Sequence, residues 1–249
     1  MARRVFSKSS NPFLKEEALV RRNFEGGFSS INADRMTVSG AVNKTLVLAG
    51  IMLLTAVFGY ANPSPLFIWG GAIGGLVVVL ITSFKPTLSP VLAPVYAALE
   101  GLFVGGISAI YASMFNGIVL QAVTLTFAVL FMMLFVYKSG MIRVTDKFRR
   151  GVVMATGAIA VVYLLNLVLS MFGINMPYLH EGGMIGIGIS LVIVGVAALN
   201  LLLDFDAFET GERMGAPAYM EWFMGMGLLI TLVWLYIEIL RLIAMFSRD

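Results

Sequence analysis

Residues 199–213, LNLLLDFDAFETGER, close an apolar run that begins near residue 183, and a last apolar run follows at 221–246. Acids therefore stand at the end of a stretch long enough to cross a membrane. A carboxylate in hydrocarbon costs about 2.5–3.5 kcal/mol on insertion scales, so Asp204 and Asp206 need a partner, a water-filled cavity or the headgroup boundary. Two residues apart, they lie about 200° from each other around a helix, and only one can face a bundle interior. Asp204 shares a face with Leu201 and Phe208, whereas Asp206 lies with Glu209 and Thr210 toward the following loop. Asp204 is the interior candidate and Asp206 the boundary one.

Composition agrees with a membrane reading of that stretch. The chain is 59% hydrophobic and 12% charged, far from the roughly 45–50% apolar and 25% charged content of soluble domains. Its 249 residues accommodate a short tail and six or seven crossings of about 20 residues each. The net charge of +3 suits anionic lipid headgroups next to the spans rather than nucleic acid, which is not an expected partner. There is no cysteine, hence no disulfide, thiolate nucleophile or cysteine-ligated metal.

Two parts are expected: a polar, basic cytoplasmic tail over 1–43 and a seven-helix transmembrane domain over 44–249. The tail reads as a solvated determinant of topology rather than a lipid- or partner-binding arm, with a short surface helix at 13–24. No signal peptide is expected, because the apolar run begins only near Thr45. Apolar runs predict spans at 44–61, 66–83, 89–112, 117–137, 151–173, 183–206 and 221–246. Breaks rich in Pro, Gly, Asn and charge separate them, among them Pro63 and Pro65, the charged loop 138–150, 175–182 and 209–217. Runs of this length lack the alternation of barrel strands, so the fold class is all-α.

Basic residues crowd onto alternate loops. Eight lie in the tail through Lys44, one at Lys85, five in 138–150 and one at Arg213. The positive-inside rule then places the amino terminus in the cytoplasm and the protein in the cell inner (plasma) membrane as a multi-pass chain. Seven crossings leave Arg241 and Arg248 near the outer side, a conflict that a re-entrant last segment would remove. Gly71 and Gly75, Gly101 and Gly105, and Gly182 and Gly186 have the GxxxG spacing of close helix contacts. The sixteen methionines read as filler, and Trp69, Tyr111, Tyr137 and Trp222 as interface anchors.

Two further acids fall inside spans. Glu100 lies mid-span with Tyr96 one turn earlier on the same face, within reach of a hydrogen bond. Glu238 has Arg241 three residues on, so the two can pair along one face of the last helix.

In order and spacing, LNLLLDFDAFETG, the closing LVWLYIEILRLIAMFSRD and EGLFVGG resemble the Bax-inhibitor-motif membrane proteins, in particular their bacterial YccA-like branch, over residues 36–249. The resemblance implies six helices surrounding the last one. It also implies one of the activities linked to the family: pH-sensitive calcium leak, modulation of membrane proteases, or suppression of cell death in eukaryotes. In calcium-leak members an acid ending the sixth helix shares a proton with an acid of the seventh. The first falls on Asp204, with Asp206 the alternative. Matching LYIE to the family's LYLD selects Glu238 as the second, whereas counting from the carboxy terminus falls near Thr231, which is not acidic. The switch would then recruit Glu238, Asp206 or Glu100, with Arg241 as supporting pair. On this reading no resident cofactor is expected, a calcium ion would bind transiently at Asp204 and Asp206, and the partners are the lipid bilayer and a cation. The alternative is a regulator that binds a membrane protease or other membrane protein without transporting anything. Enzymatic activity is not expected, because the lone His180 lies in a loop and neither HExxH nor GxSxG occurs.

The charge distribution makes 138–150 and the surroundings of Arg213 cytoplasmic, and 62–65 and 175–182 external. In this cysteine-free chain, Ser139→Cys should resist an impermeant thiol reagent applied to intact cells. Its labelling from outside would overturn the topology.

Overall fold

The computed structural model describes residues 35–173 and 183–247. Most of the tail with its helix 13–24, the loop 175–182 with His180 and Gly182, and Arg248 lie outside the described residues. Seven helices long and apolar enough to cross a membrane follow one another: α1 Val38–Ala61, α2 Pro65–Phe84, α3 Ser89–Met114, α4 Ile118–Lys138, α5 Asp146–Met171, α6 Met184–Arg213 and α7 Tyr219–Phe246. The protein is an all-α bundle. α7 is one unbroken helix of 28 residues, about 42 Å by helical rise, long enough to cross rather than re-enter.

Local chemistry sets the helix ends, and it moves several of them from their expected positions. α1 begins six residues before the expected span because the Thr37 side chain accepts from the Gly40 N–H at 2.9 Å and caps it. α5 starts inside the charged loop because Thr145 accepts from the Phe148 N–H and Asp146 occupies the first turn, where a negative charge suits the helix dipole. α6 runs past residue 206 to Arg213, since neither Glu209 nor Glu212 interrupts a helix. It turns at Gly215, whose φ of 66° favours glycine. Its 30 residues span about 45 Å, well over the roughly 30 Å of bilayer hydrocarbon. The helix is therefore longer than the hydrocarbon it crosses.

The last helix is the hub. In its most apolar window 61% of residues are buried, against 6% in α5. α7 packs against α1, α3, α4 and α6. The surrounding ring is less even than the resemblance implies, because α2 packs on α3 and α5 on α6. One apolar cluster gathers Ile118, Ala197, Leu201, Leu235 and Leu240 around α7, and a second joins Leu48, Ala93, Ala97 and Leu229. Met36, Met226 and Met245 are buried while Met132 is exposed, in keeping with methionine as adaptable filler. Trp222 stacks under the Lys44 ammonium at 4.8 Å, near one end of α7.

α1 and α2 each meet α3 backbone to backbone. A Cβ at Gly101 would collide with Thr55 Oγ1 and the Met52 carbonyl, and one at Gly105 with the Ala56 carbonyl. In return, a Cβ at Gly59 would lie 2.7 Å from the Leu102 carbonyl oxygen, and one at Gly71 2.5 Å from that of Leu99. The Gly101/Gly105 and Gly71/Gly75 spacings thus make the close contacts their sequence announces. Gly105→Val should separate α1 from α3 and destabilise the bundle by about 1–3 kcal/mol or more. Gly157→Ala in α5, where a Cβ meets nothing within 4 Å, should be neutral or stabilise by about 0.5–1 kcal/mol. Thermal unfolding in detergent reads both, and equal stability of the two variants would refute the close approach.

Candidate functional site

Asp204 sits on the face of α6 that carries Ala197, Leu201 and Phe208, all buried. By helical rise it lies about 30 Å from Met184, a distance comparable with the thickness of the hydrocarbon. Its Oδ2 is buried and has no hydrogen-bond partner among the described residues. Across the α6–α7 contact it faces the Thr231 hydroxyl, which itself reaches the Gly227 carbonyl at 3.3 Å. The register that points to Thr231 is the one the fold adopts.

Glu238 is not Asp204's partner. It lies seven residues beyond Thr231, about 10 Å further along α7, and is engaged elsewhere. Tyr163 of α5 donates its hydroxyl to Glu238 Oε1 at 2.6 Å. Arg241 Nη2 stands 2.7 Å from Oε2, the pairing expected at that spacing, and its guanidinium covers the Tyr163 ring at 5.5 Å. Glu238 is 3% exposed, so this is a buried ion pair held by a phenol.

The other two acids are also separated from Asp204. Asp206 forms an ion pair with Arg149 of α5, on the other side of α6 as the 200° spacing requires. The two aspartates diverge, Asp204 toward α7 and Asp206 toward α5. Among the described residues no group of three or more His, Asp or Glu is placed to hold a metal. Glu100 lies between α3 and α2, and a Cβ at Gly75 would come 2.7 Å from its Oε2. Tyr96 packs beside it, buried, but no hydrogen bond joins the two among the described residues.

Several functional-looking contacts escape a reading of the sequence. Glu221 Oε1 accepts from the Thr37 N–H at 2.9 Å and from its hydroxyl at 3.2 Å, and Glu212 accepts from the Val38 N–H at 3.1 Å. Acids from α6 and α7 thus cap the amino-terminal end of α1, where the helix dipole favours them. Met36 donates to the Ala216 carbonyl at 2.8 Å, so residues before α1 are strapped to the α6–α7 turn. On the side of α7 away from Thr231, a cavity of about 320 Å³ opens between α1, α3 and α4. Ser108 and Tyr236, whose hydroxyls lie 2.7 Å apart, line it.

A third set fixes α5. Arg149 pairs with Asp206, Thr156 Oγ1 accepts from Asn200 Nδ2 at 2.7 Å, and Tyr163 bonds Glu238. The residues 149, 156 and 163 recur every seven positions, two turns apart on one stripe of α5. That spacing is the signal that would have found them. Each interhelical hydrogen bond of this kind contributes about 0.6 kcal/mol on average.

These geometries belong to a chain that matches the model of the Bax inhibitor 1-like family over residues 6–248. The protein belongs to that family. No curated protein matches it. The match covers all seven helices and the whole of the α6–α7 contact.

Breaking a buried pair by neutralising one member leaves the other charge uncompensated and costs about 3–5 kcal/mol. Glu238→Gln should therefore be strongly destabilising, and Glu238→Leu combined with Arg241→Met should recover most of the loss. Thermal stability of the single and double variants in detergent measures the coupling. A Glu238→Gln protein as stable as wild type would show that Arg241 finds solvent or lipid headgroups instead.

Proposed function

We propose that this Bax inhibitor 1-like membrane protein is a cation leak, with calcium the expected ion, in which the charge state of Asp204 governs passage. The observation that carries the reading is the buried, unbonded carboxylate oxygen of Asp204 within the α6–α7 contact. Protonated, Asp204 is a neutral side chain packed against Thr231. Ionised, it presents a carboxylate to a hard cation, which such oxygens bind well, and it cannot remain in a dry contact without a countercharge. With a hydroxyl rather than a second acid opposite, the switch is a single carboxyl and titrates in one step. The cell inner membrane with a cytoplasmic amino terminus is the setting this reading assumes. Regulation of a membrane protease or other membrane partner, without transport, is the competing account.

Purified protein in calcium-loaded liposomes should pass calcium with a flux that rises with pH as the ionised form accumulates. Asp204→Asn keeps the volume but removes the titrating group, so its flux should not respond to pH. Thr231→Asp supplies a second acid, and the pH response should then spread over two steps as the pair titrates together. Absence of calcium flux through wild-type protein at every pH between about 5 and 8 would favour the regulatory account. An unchanged pH response in Asp204→Asn would place the switch elsewhere.

A further inference from the structure

α5 stands apart from the other six helices. Val152 is its only buried residue among those described, and Val153, Met154, Val161, Leu164 and Met171 are exposed. Gly151 and Gly157 meet nothing within 4 Å where a Cβ would be, so no close backbone contact holds this helix as Gly101 and Gly105 hold α3. Between α5 and α6 lies a cavity of about 470 Å³, lined by Ile159, Val162 and Tyr163 on one side and Ile185, Ile189 and Val192 on the other. Apolar faces gain little by leaving lipid for protein, so apolar contact of this extent does not fix α5. Polar contacts to α6 and α7 run along the stripe of Arg149, Thr156 and Tyr163, bonded to Asp206, Asn200 and Glu238.

We propose that α5 is a detachable helix, which leaves its seat as a unit by breaking these three polar rungs while the other six helices stay packed. Its departure exposes a polar strip that runs from Asp206 at the membrane boundary, through Asn200 on α6, to the Glu238–Arg241 pair on α7. Arg241 already has a buried Nε without a hydrogen-bond partner, so the strip is incompletely satisfied even when α5 is seated and will draw water once it is not. Asn200 lies one turn before Asp204 on α6, so that water reaches the helix face that carries the unbonded carboxylate. The motion is a property of the fold alone. Its coupling to cation flow rests on the leak reading above.

Spin labels on Val161→Cys in α5 and Ile73→Cys in α2, both exposed positions, report the seat directly in lipid nanodiscs of this otherwise cysteine-free protein. Two distance populations are expected. The long one should grow when two rungs are removed in Tyr163→Phe with Asn200→Leu. In an unlabelled background, cross-linking Thr156→Cys to Asn200→Cys should close the exposed strip, measured as loss of deuterium uptake in α5 and α6 and recovered on reduction. A single narrow distance, identical in wild type and in the two-rung variant, would overturn the proposal. So would deuterium uptake indifferent to the cross-link, which also serves if the two-rung variant fails to fold. Calcium flux is read separately: flux lost on cross-linking and restored on reduction supports the coupling. A protein that never conducts while its α5 distances still shift would defeat the leak reading and leave the detachable helix standing.

Discussion

Lipid tails are as apolar as leucine, so in this bundle burial of apolar surface does not by itself decide which helix lies beside which. Position is decided by close backbone approach and by polar groups that must be satisfied away from water. α1 and α3 are joined in the first way, with Gly59, Gly101 and Gly105 removing the side chains that would hold the backbones apart. α5 is joined in the second, through Arg149, Thr156 and Tyr163. The two modes divide the molecule. A tightly packed group of α1, α2, α3 and α7 contrasts with an α5 that carries most of its apolar surface toward lipid.

The central position of α7 follows from that division. It offers Gly225 to Thr45 of α1, Tyr236 to Ser108 of α3, Thr231 to Asp204 of α6 and Glu238 to Tyr163 of α5. These four neighbours meet it through a small residue or a hydrogen-bonding one, and α4 through apolar packing. At its amino-terminal end Glu221 holds Thr37 and the Tyr219 carbonyl accepts from Ser89 at 2.7 Å. Displacing α7 along its axis would therefore break contacts with α1, α3 and α6 together.

Periodicity and length make the helices legible, because a membrane span is a long apolar run whatever its neighbours are. The assignment of Asp204 to the interior was legible for a similar reason, since the 200° between residues two apart is local geometry. Helix ends were not, because Thr37 and Thr145 caps are single hydroxyls with no weight in an apolar average. Partners across helices were not either. Glu238 is the nearest acid to Asp204 in type, but the register between α6 and α7 brings Thr231 opposite, and register depends on packing spread over both helices. The heptad of Arg149, Thr156 and Tyr163 was present in the sequence. It mixes a charge, a hydroxyl and a phenol, and acquires meaning only when Asp206, Asn200 and Glu238 are seen to face it.

Asp204 differs from most acids around it in what satisfies it. Asp206 has Arg149, Glu209 accepts from Tyr137 at 2.9 Å, Glu212 and Glu221 hold the start of α1, and Glu238 has both Tyr163 and Arg241. Each of these carboxylates has a structural occupation that accounts for its position. Asp204 keeps one carboxylate oxygen buried and unbonded beside Thr231. Such a group lowers the stability of the packed state relative to an apolar residue of the same size. A change of a single proton there alters the energy of the α6–α7 contact. The neighbouring acids of α6 and α7 are held in ion pairs or hydrogen bonds, and Glu100, between α2 and α3, lies apart from this contact.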